Sequence, residues 1–387
     1  MTPRKTLTFM VSAGEASSDA HAAHALEALQ AEGAQFECFG MGAGVLQNAG
    51  VELLVDCRDL AVIGIVDALV NYPRFRKRIA LLRKEMRLRK PDLLLLVDYP
   101  DFNLKLAETA KSLGIPVLYY VSPKVWAWRA GRVARIAELV DHMAVLFPFE
   151  VDIYQRAGVP VTYVGNPVVA DAVSVFDRNG ACKHFGLDQH KPVITLLPGS
   201  RIGEIQRNLP VMMSTAQLIT EQQADCQFLL PVAPTLDSDF ITDAIGDSAP
   251  VSLHTTTGNS RDAMRAADVA VVASGTATLE TALIGTPLIV MYVVNHINFA
   301  IMKRLIKIPD ISLVNIVAQQ RVVPEYLQTE ADPRIMATDV LSLLHDPHRR
   351  SRMLSDLESV KTKMGDAHAS TRVAGLIREM TRPQTDS

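Results

Sequence analysis

The stretch "PDLLLLVDYPDF", residues 91–102, narrows the possible folds more than any other part of the chain. Leu93 to Val97 are apolar without a break, so the segment has no face to turn toward water. It reads as a β-strand buried on both sides, and such strands belong to parallel sheets covered by helices above and below. A parallel sheet needs a crossover helix between successive strands. The neighbouring sequence supplies them. "TLTFMVSAG" is a strand ending in a glycine turn, "EASSDAHAAHALEALQ" a helix, and "QFECFGMG" a second strand. After the leucine run come a helix "NLKLAETAKSLG", a strand "IPVLYYVSP", a tryptophan-rich helical segment and a strand "DHMAVLF". Repeated βα units of this kind predict a doubly wound α/β sheet.

The pattern then lapses around "VGNPVVADAVSVFDRNGA", which reads as a linker near residues 165–185, and restarts. "PVITLLPG", "CQFLLPVA", "VSLHT", "ADVAVVASG" and "TPLIVMYVV" are further strands with helical segments between them. At 387 residues the chain exceeds what one hydrophobic core usually holds. The expectation is two Rossmann-like α/β domains, 1–168 and 169–349, with a cleft between them as the site. The helical tail, about 350–387, is expected to cross back onto the first domain. A net charge of −3 argues against nucleic acid as a partner. Cys38, Cys57, Cys182 and Cys226 are scattered, with no CxxC pair, and read as reduced thiols in a cytoplasmic protein. The N-terminal apolar run is too brief for a signal peptide, and no stretch approaches the ~20 apolar residues of a membrane span.

Two strand ends carry polar turns. "LLPGSRIGEI" places Gly199 where a backbone can approach a ligand, Ser200 at a helix start and Arg201 as a cationic fork suited to phosphate. An ordinary turn with a serine N-cap and a solvated arginine is the other reading. "VVASGTATLETALIGTP" repeats the arrangement: Ser274, Gly275, Thr276 and Thr278 offer hydroxyls and amides, and Glu280 a carboxylate that could hold a ribose diol. Capping alone could account for these too. Two such ends in one half-chain favour a nucleotide diphosphate. Neither is a Walker loop or a GxGxxG fingerprint, so redox dinucleotide chemistry is not expected. "DSD" at 237–239 has a form that holds metal in some enzymes, but its place at a helix start predicts a cap; neither metal nor cofactor is expected.

Together "SAGEASSD", "VDYPDFN", "YYVSPKVWAWR", "LLPGSRIGEI" and "SGTATLETAL" resemble, in order from about residue 8 to about 330, the signature series of lipid-A-disaccharide synthases, which are GT-B-type glycosyltransferases. The chain departs from that series at Ser18, Asn166 and Val314, where glycine, histidine and proline are usual. The resemblance implies condensation of UDP-2,3-diacylglucosamine with 2,3-diacylglucosamine 1-phosphate, giving the β(1→6) lipid A disaccharide 1-phosphate and UDP. It implies an acceptor-side first domain, a nucleotide-binding second domain, a donor contact at Asn315, and inversion by single displacement. It also implies a cytoplasmic enzyme peripheral on the inner face of the inner membrane, and leaves a homodimer open. Another GT-B sugar-nucleotide enzyme, such as an epimerase, and a non-catalytic lipid-binding protein at a membrane surface are the alternatives.

Such a displacement needs a base for the acceptor hydroxyl and positive charge for the leaving diphosphate. Asp98, at the carboxyl end of the leucine strand, is the expected base, with Asp101 better placed to cap the following helix. Glu15 is the second candidate base, and Arg201 the expected diphosphate partner. Membrane contact is expected from the apolar segment containing Val62, Ile65, Val66 and Leu69 and the basic run that includes Arg76 and Lys77. A buried helix followed by a solvated one is the competing reading.

Overall fold

The structure, a computed structural model, describes residues 6–60, 65–127, 131–246, 250, 252–295, 308–366 and 368–382. Two compact units divide the chain, one of residues 1–166 with 368–387 and one of 167–367.

The first unit holds seven strands: β1 Leu7–Ala13, β2 Phe36–Gly42, β3 Glu52–Asp56, β4 Leu93–Val97, β5 Val117–Tyr120, β6 His142–Val145 and β7 Val161–Tyr163. Every pairing is parallel, in the order β3-β2-β1-β4-β5-β6-β7. Strand β4 is central, and its five side chains are at most 1% exposed. Leu94 and Leu96 enter one core layer with Met10, Phe102 and Tyr119, while Leu93, Leu95 and Val97 enter the other with Phe9, Leu118 and Val373. Each such burial stabilises the fold by ~2 kcal/mol, so a polar residue anywhere in this run would break one layer.

The second unit repeats the plan with β8 Val193–Leu197, β9 Gln227–Val232, β10 Leu253–Thr257, β11 Val269–Ala273, β12 Leu288–Tyr292 and β13 Glu325–Leu327. Its order is β10-β9-β8-β11-β12-β13, again wholly parallel. In each sheet the strand order reverses at one place, between β1 and β4 and between β8 and β11. Ligands of open parallel sheets bind beyond the carboxyl ends at this reversal. The two polar turns singled out from the sequence, after β8 and β11, lie there, and so do the candidate bases Glu15, after β1, and Asp98, after β4.

Several details differ from the sequence reading. β3, β7 and β13 went unread because they are short edge strands with little continuous apolar run. The supposed linker contains two helices, Val168–Asp171 and Arg178–His184. Asp177 caps the second by accepting the Gly180 N–H (2.7 Å), and Arg178 clasps Asp268 through two bonds (3.0 and 2.6 Å). Ala181 and Cys182 then enter the second unit's core. The tryptophan segment is a turn at Val125–Ala127, and the described helix begins only at Arg132. The tail is two helices: Pro347–Met364 belongs to the second unit, Gly365 ends it with φ +57°, and Ala369–Met380 packs on Ala16–Ala31 of the first.

Candidate functional site

At the reversal point of the first sheet, the loops after β1 and β4 touch. A Cβ on Gly14 would lie 2.3 Å from Cγ of Tyr99, so only glycine fits. This close approach brings Glu15, the next residue, beside the β4 loop. Asp98 and Tyr99 both have φ +48°, and Val121, just past β5, has φ +64°. A left-handed β-branched residue is costly, and such strain gathers at functional sites.

Asp98 is half-buried, and its backbone is tied at both ends. Its N–H donates to the Tyr120 carbonyl (3.0 Å), and its carbonyl accepts from Asn103 Nδ2 (2.6 Å) and Tyr119 Oη (2.7 Å). Burial pushes the Asp98 carboxyl above the usual carboxylate range and the charge of Glu15 adds to this; the Tyr99 amide and the Lys124 ammonium pull it back. A carboxylate so placed is suited to taking up a proton. Capping of the following helix, Pro100–Ser112, differs from expectation: Tyr99 is its N-cap residue, no side chain caps it, and Asp101 pairs with Arg132.

Lys124 sits on a braced loop. Buried Glu150 accepts from the Trp126 indole N–H (3.1 Å) and the Phe147 N–H (3.1 Å), and Ser122 Oγ lies 2.7 Å from Tyr154 Oη. Burial raises the Glu150 carboxyl to about 7 despite these bonds. Because the folded value exceeds the ordinary one near 4.5, its contribution to stability is full below that value. It is lost as pH rises through about 7, a loss on the order of 3 kcal/mol. Glu150→Gln, neutral throughout, should therefore flatten the fall of Tm between about pH 5 and about pH 8. Parallel melting curves for the two proteins would contradict this.

At the second sheet's reversal point, Gly199 has φ +115° and faces the Glu204 carboxylate, which a Cβ would meet at 2.5 Å. Arg201, not Ser200, is the N-cap of Ile202–Gln222. Glu204 reaches back to the N–H groups of Ser200 (3.2 Å) and Arg201 (3.4 Å) and pairs with the Arg201 guanidinium at 3.1 Å. These contacts form a capping box, so in the structure the Glu204 carboxylate occupies the free amides of the turn. Arg201 itself is 84% exposed. The sequence reading missed Arg207, whose guanidinium lies over the same first turn, 2.9 Å from where a Gly203 Cβ would be. Its Nε is buried without a hydrogen-bond partner. The Arg201–Glu204–Arg207 spacing, three residues apart on one helix face, was the available signal.

After β11, Ser274 Oγ donates to the Ile311 carbonyl (3.2 Å), while Gly275 and Thr276 are exposed. Thr278 is fully buried and its hydroxyl donates to the Gly275 carbonyl (2.8 Å), so it shapes the turn and is withdrawn from any ligand. Glu280 Oε1 accepts a hydrogen bond from Arg261 Nε (3.1 Å), and Arg261 Nη2 forms an ion pair with the same oxygen (3.1 Å). Asn315 also has another job than the expected donor contact. Its Oδ1 accepts from Val322 and Val323 (2.8 and 3.0 Å), and its Nδ2 donates to the Val323 carbonyl (3.0 Å) and buried Glu325 (2.7 Å). Both ends of the amide are used. Asp237 caps Ser238–Ile245 through the N–H groups of Asp239 and Phe240. Of the departures, Ser18, Asn166 and Val314 are all buried.

Val62 lies outside the described residues, and so do the side chains of Ile65, Val66 and Leu69 at the start of Ile65–Arg89. Further along, Ile79, Leu82 and Met86 are buried, and Arg76, Lys77, Lys84 and Arg87 are exposed. Part of the basic run is neutralised: Arg78 pairs with Asp59, Arg83 with Glu108, and Arg89 with Glu52 and Glu85. Among the described residues, no helix is long and apolar enough to cross a membrane.

Residues 9–377 match the family model described as lipid-A-disaccharide synthetase. The chain belongs to the lipid-A-disaccharide synthase family. It is 44% identical to the lipid-A-disaccharide synthase of Syntrophus aciditrophicus over 94% of this chain and 95% of that one. With the Geobacter sulfurreducens synthase it shares 42% identity over 99% of this chain and 100% of the other. Among solved structures it resembles MurG of Acinetobacter baumannii (TM-score 0.58, 15% identity, 97% of this chain and 100% of that one). It also resembles the UDP-GlcNAc 2-epimerase of Neisseria meningitidis bound to UDP-GlcNAc (TM-score 0.60, 13% identity, 97% and 99%). These likenesses show the GT-B fold, and the family match decides among the activities that fold can carry: the enzyme is a glycosyltransferase of lipid A disaccharide synthesis, taking a sugar-nucleotide donor and a lipid acceptor.

Proposed function

We propose that the donor is UDP-2,3-diacylglucosamine and the acceptor 2,3-diacylglucosamine 1-phosphate. The second unit holds the nucleotide, and the first holds the acceptor and supplies the base. What supports this reading is the family match, together with Asp98 in a left-handed backbone at the first sheet's reversal point and, at the second sheet's, a turn whose free amides already hold a carboxylate. Asp98 takes the proton of the acceptor's primary hydroxyl as its oxygen attacks the anomeric carbon, and UDP leaves from the opposite face. The amides of Ser200 and Arg201, once Glu204 swings off them, receive diphosphate oxygens, with the Arg201 guanidinium neutralising the developing charge. Glu280 still has Oε2 for the ribose diol, and the backbone at Gly275 and Thr276 admits the nucleotide. Mass spectrometry of products formed by the purified protein from these two lipids tests the reading. A disaccharide 1-phosphate with equimolar UDP supports it, and UDP release without disaccharide refutes the acceptor assignment.

The same proposal places the enzyme on the inner leaflet, because both substrates are acylated. Ile65, Val66 and Leu69 insert, and the exposed Arg76 and Lys77 meet anionic headgroups. Replacing the three apolar residues with serine should release the protein from anionic vesicles while leaving UDP affinity and Tm near the parent's. A collapse of Tm instead, at ~2 kcal/mol for each lost burial, would make them core residues.

A further inference from the structure

As proposed, the chemistry of the first unit rests on a half-buried carboxylate at the first of two successive left-handed residues, the second a tyrosine, so something must hold that backbone there. The groups that do so are on Asn103 and Tyr119. Asn103 is fully buried on the helix Pro100–Ser112, beneath the ends of β1 and β4. Its Nδ2 donates to the carbonyls of Ser12 (3.2 Å), Val97 (3.2 Å) and Asp98 (2.6 Å), and its Oδ1 accepts from Ser12 Oγ (2.6 Å). One amide therefore ties the strand leading to Glu15 to the strand leading to Asp98. Tyr119, fully buried on β5, donates its hydroxyl to the same Asp98 carbonyl (2.7 Å). Such buried amides are costly to leave unpaired, and fully satisfied ones specify a single local arrangement.

Geometry argues that this clamp serves Asp98 and not the sheet alone. The β4 pairing with β5 runs only to Val97 and Tyr120, so the ladder has ended before the Asp98 carbonyl. Helix capping does not need that carbonyl either: the Asn103 N–H already returns to the Tyr99 carbonyl (3.0 Å). With φ +48° at both Asp98 and Tyr99, releasing the Asp98 carbonyl lets the peptide relax toward the common backbone regions. The carboxylate would then swing away from Glu15. The second unit has a counterpart without a base: buried Asn208 donates to the Pro198 carbonyl (3.0 Å) and accepts from the Val293 N–H (3.0 Å), fixing the phosphate-type turn.

Resting on the assignment of Asp98 as base, we infer that Asn103 and Tyr119 are positioning residues that clamp the Asp98 peptide and so hold its carboxylate in register with the acceptor hydroxyl. A misplacement of about 1 Å costs about a hundredfold in rate. Asn103→Ala should therefore lower kcat about a hundredfold and Tyr119→Phe about tenfold, with donor KM unchanged in both. The deciding readout is the acid limb of kcat/KM for the acceptor. Both variants should shift it toward lower pH, because Asp98 leaves the buried position and the Glu15 charge that raise its pKa. Leu106→Ala, a buried neighbour on the same helix with no polar role, should lower Tm and leave that limb in place. Should Asn103→Ala fail to fold, Tyr119→Phe carries the test, since it removes one oxygen and keeps the ring packed. An unmoved acid limb in Tyr119→Phe, or one that moves equally in Leu106→Ala, overturns the clamp. Asp98→Asn is measured alongside: if it keeps turnover, the base assignment itself falls, an outcome distinct from failure of the clamp.

Discussion

Arg201→Ala should fold as well as the parent and turn over about a hundredfold more slowly. The two halves of that expectation have separate causes. In the structure the Arg201 side chain is 84% exposed and meets Glu204 three residues on. An exposed pair of this kind is worth at most about 1 kcal/mol, so Tm should barely move. In the proposed reaction the same guanidinium faces a diphosphate whose charge grows as the bond to the anomeric carbon breaks. Losing one such contact costs ~3 kcal/mol of transition-state stabilisation, which is about two orders of magnitude in kcat/KM. Arg201→Lys should recover only part of it, because an ammonium cannot present two parallel donors. Glu204→Gln separates the turn from the side chain: it weakens the competitor for the Ser200 and Arg201 amides and should tighten UDP binding in calorimetry. Near-parental kcat/KM in Arg201→Ala would remove that residue from the leaving-group site.

What the sequence disclosed and what it hid divide along physical lines. Buried parallel strands announce themselves because both faces must be apolar, as Leu93–Val97 and Val269–Ala273 do, and the turns after them stand out as polar breaks in apolar runs. Those two signals sufficed to put Glu15, Asp98, Gly199 and Gly275 just past the carboxyl ends of strands; that these ends lie at the reversal points is seen only in the structure. Edge strands such as Val161–Tyr163 carry no such signature, since one side of an edge is open and three residues set no period. Buried polar hubs were hidden for a different reason. Asn103, Asn208, Glu150 and Asn315 are polar residues in ordinary helical contexts, and a sequence cannot tell an amide facing water from one satisfied by backbone carbonyls. Asn315 shows the same ambiguity: the residue type suits a nucleotide contact and a loop brace equally, and only its four internal bonds distinguish them. Trp126 invited a helix, but its indole N–H serves Glu150 and holds a turn.

Asp98→Asn should abolish transfer while both substrates still bind. The amide matches the carboxylate in shape and keeps its peptide tied to Asn103 and Tyr119, so the loop after β4 should stay in place. What it lacks is a lone pair basic enough to take the hydroxyl proton at neutral pH, and loss of a general base costs ~10²–10⁴ in rate. Donor affinity, which the proposal assigns to the second unit, should be unchanged. Glu15→Gln distinguishes the two carboxylates without ambiguity. If Asp98 is the base, Glu15 acts on it through charge, raising its pKa after burial has done the larger part. Removing that charge lowers the Asp98 pKa, so the acid limb of kcat/KM moves to lower pH and the plateau rate falls modestly, because a less basic carboxylate pulls the proton less strongly. If Glu15 is the base instead, Glu15→Gln is the inactive variant and Asp98→Asn retains turnover. The pH profiles of the two variants, recorded with saturating donor, therefore assign the proton to one carboxylate or the other.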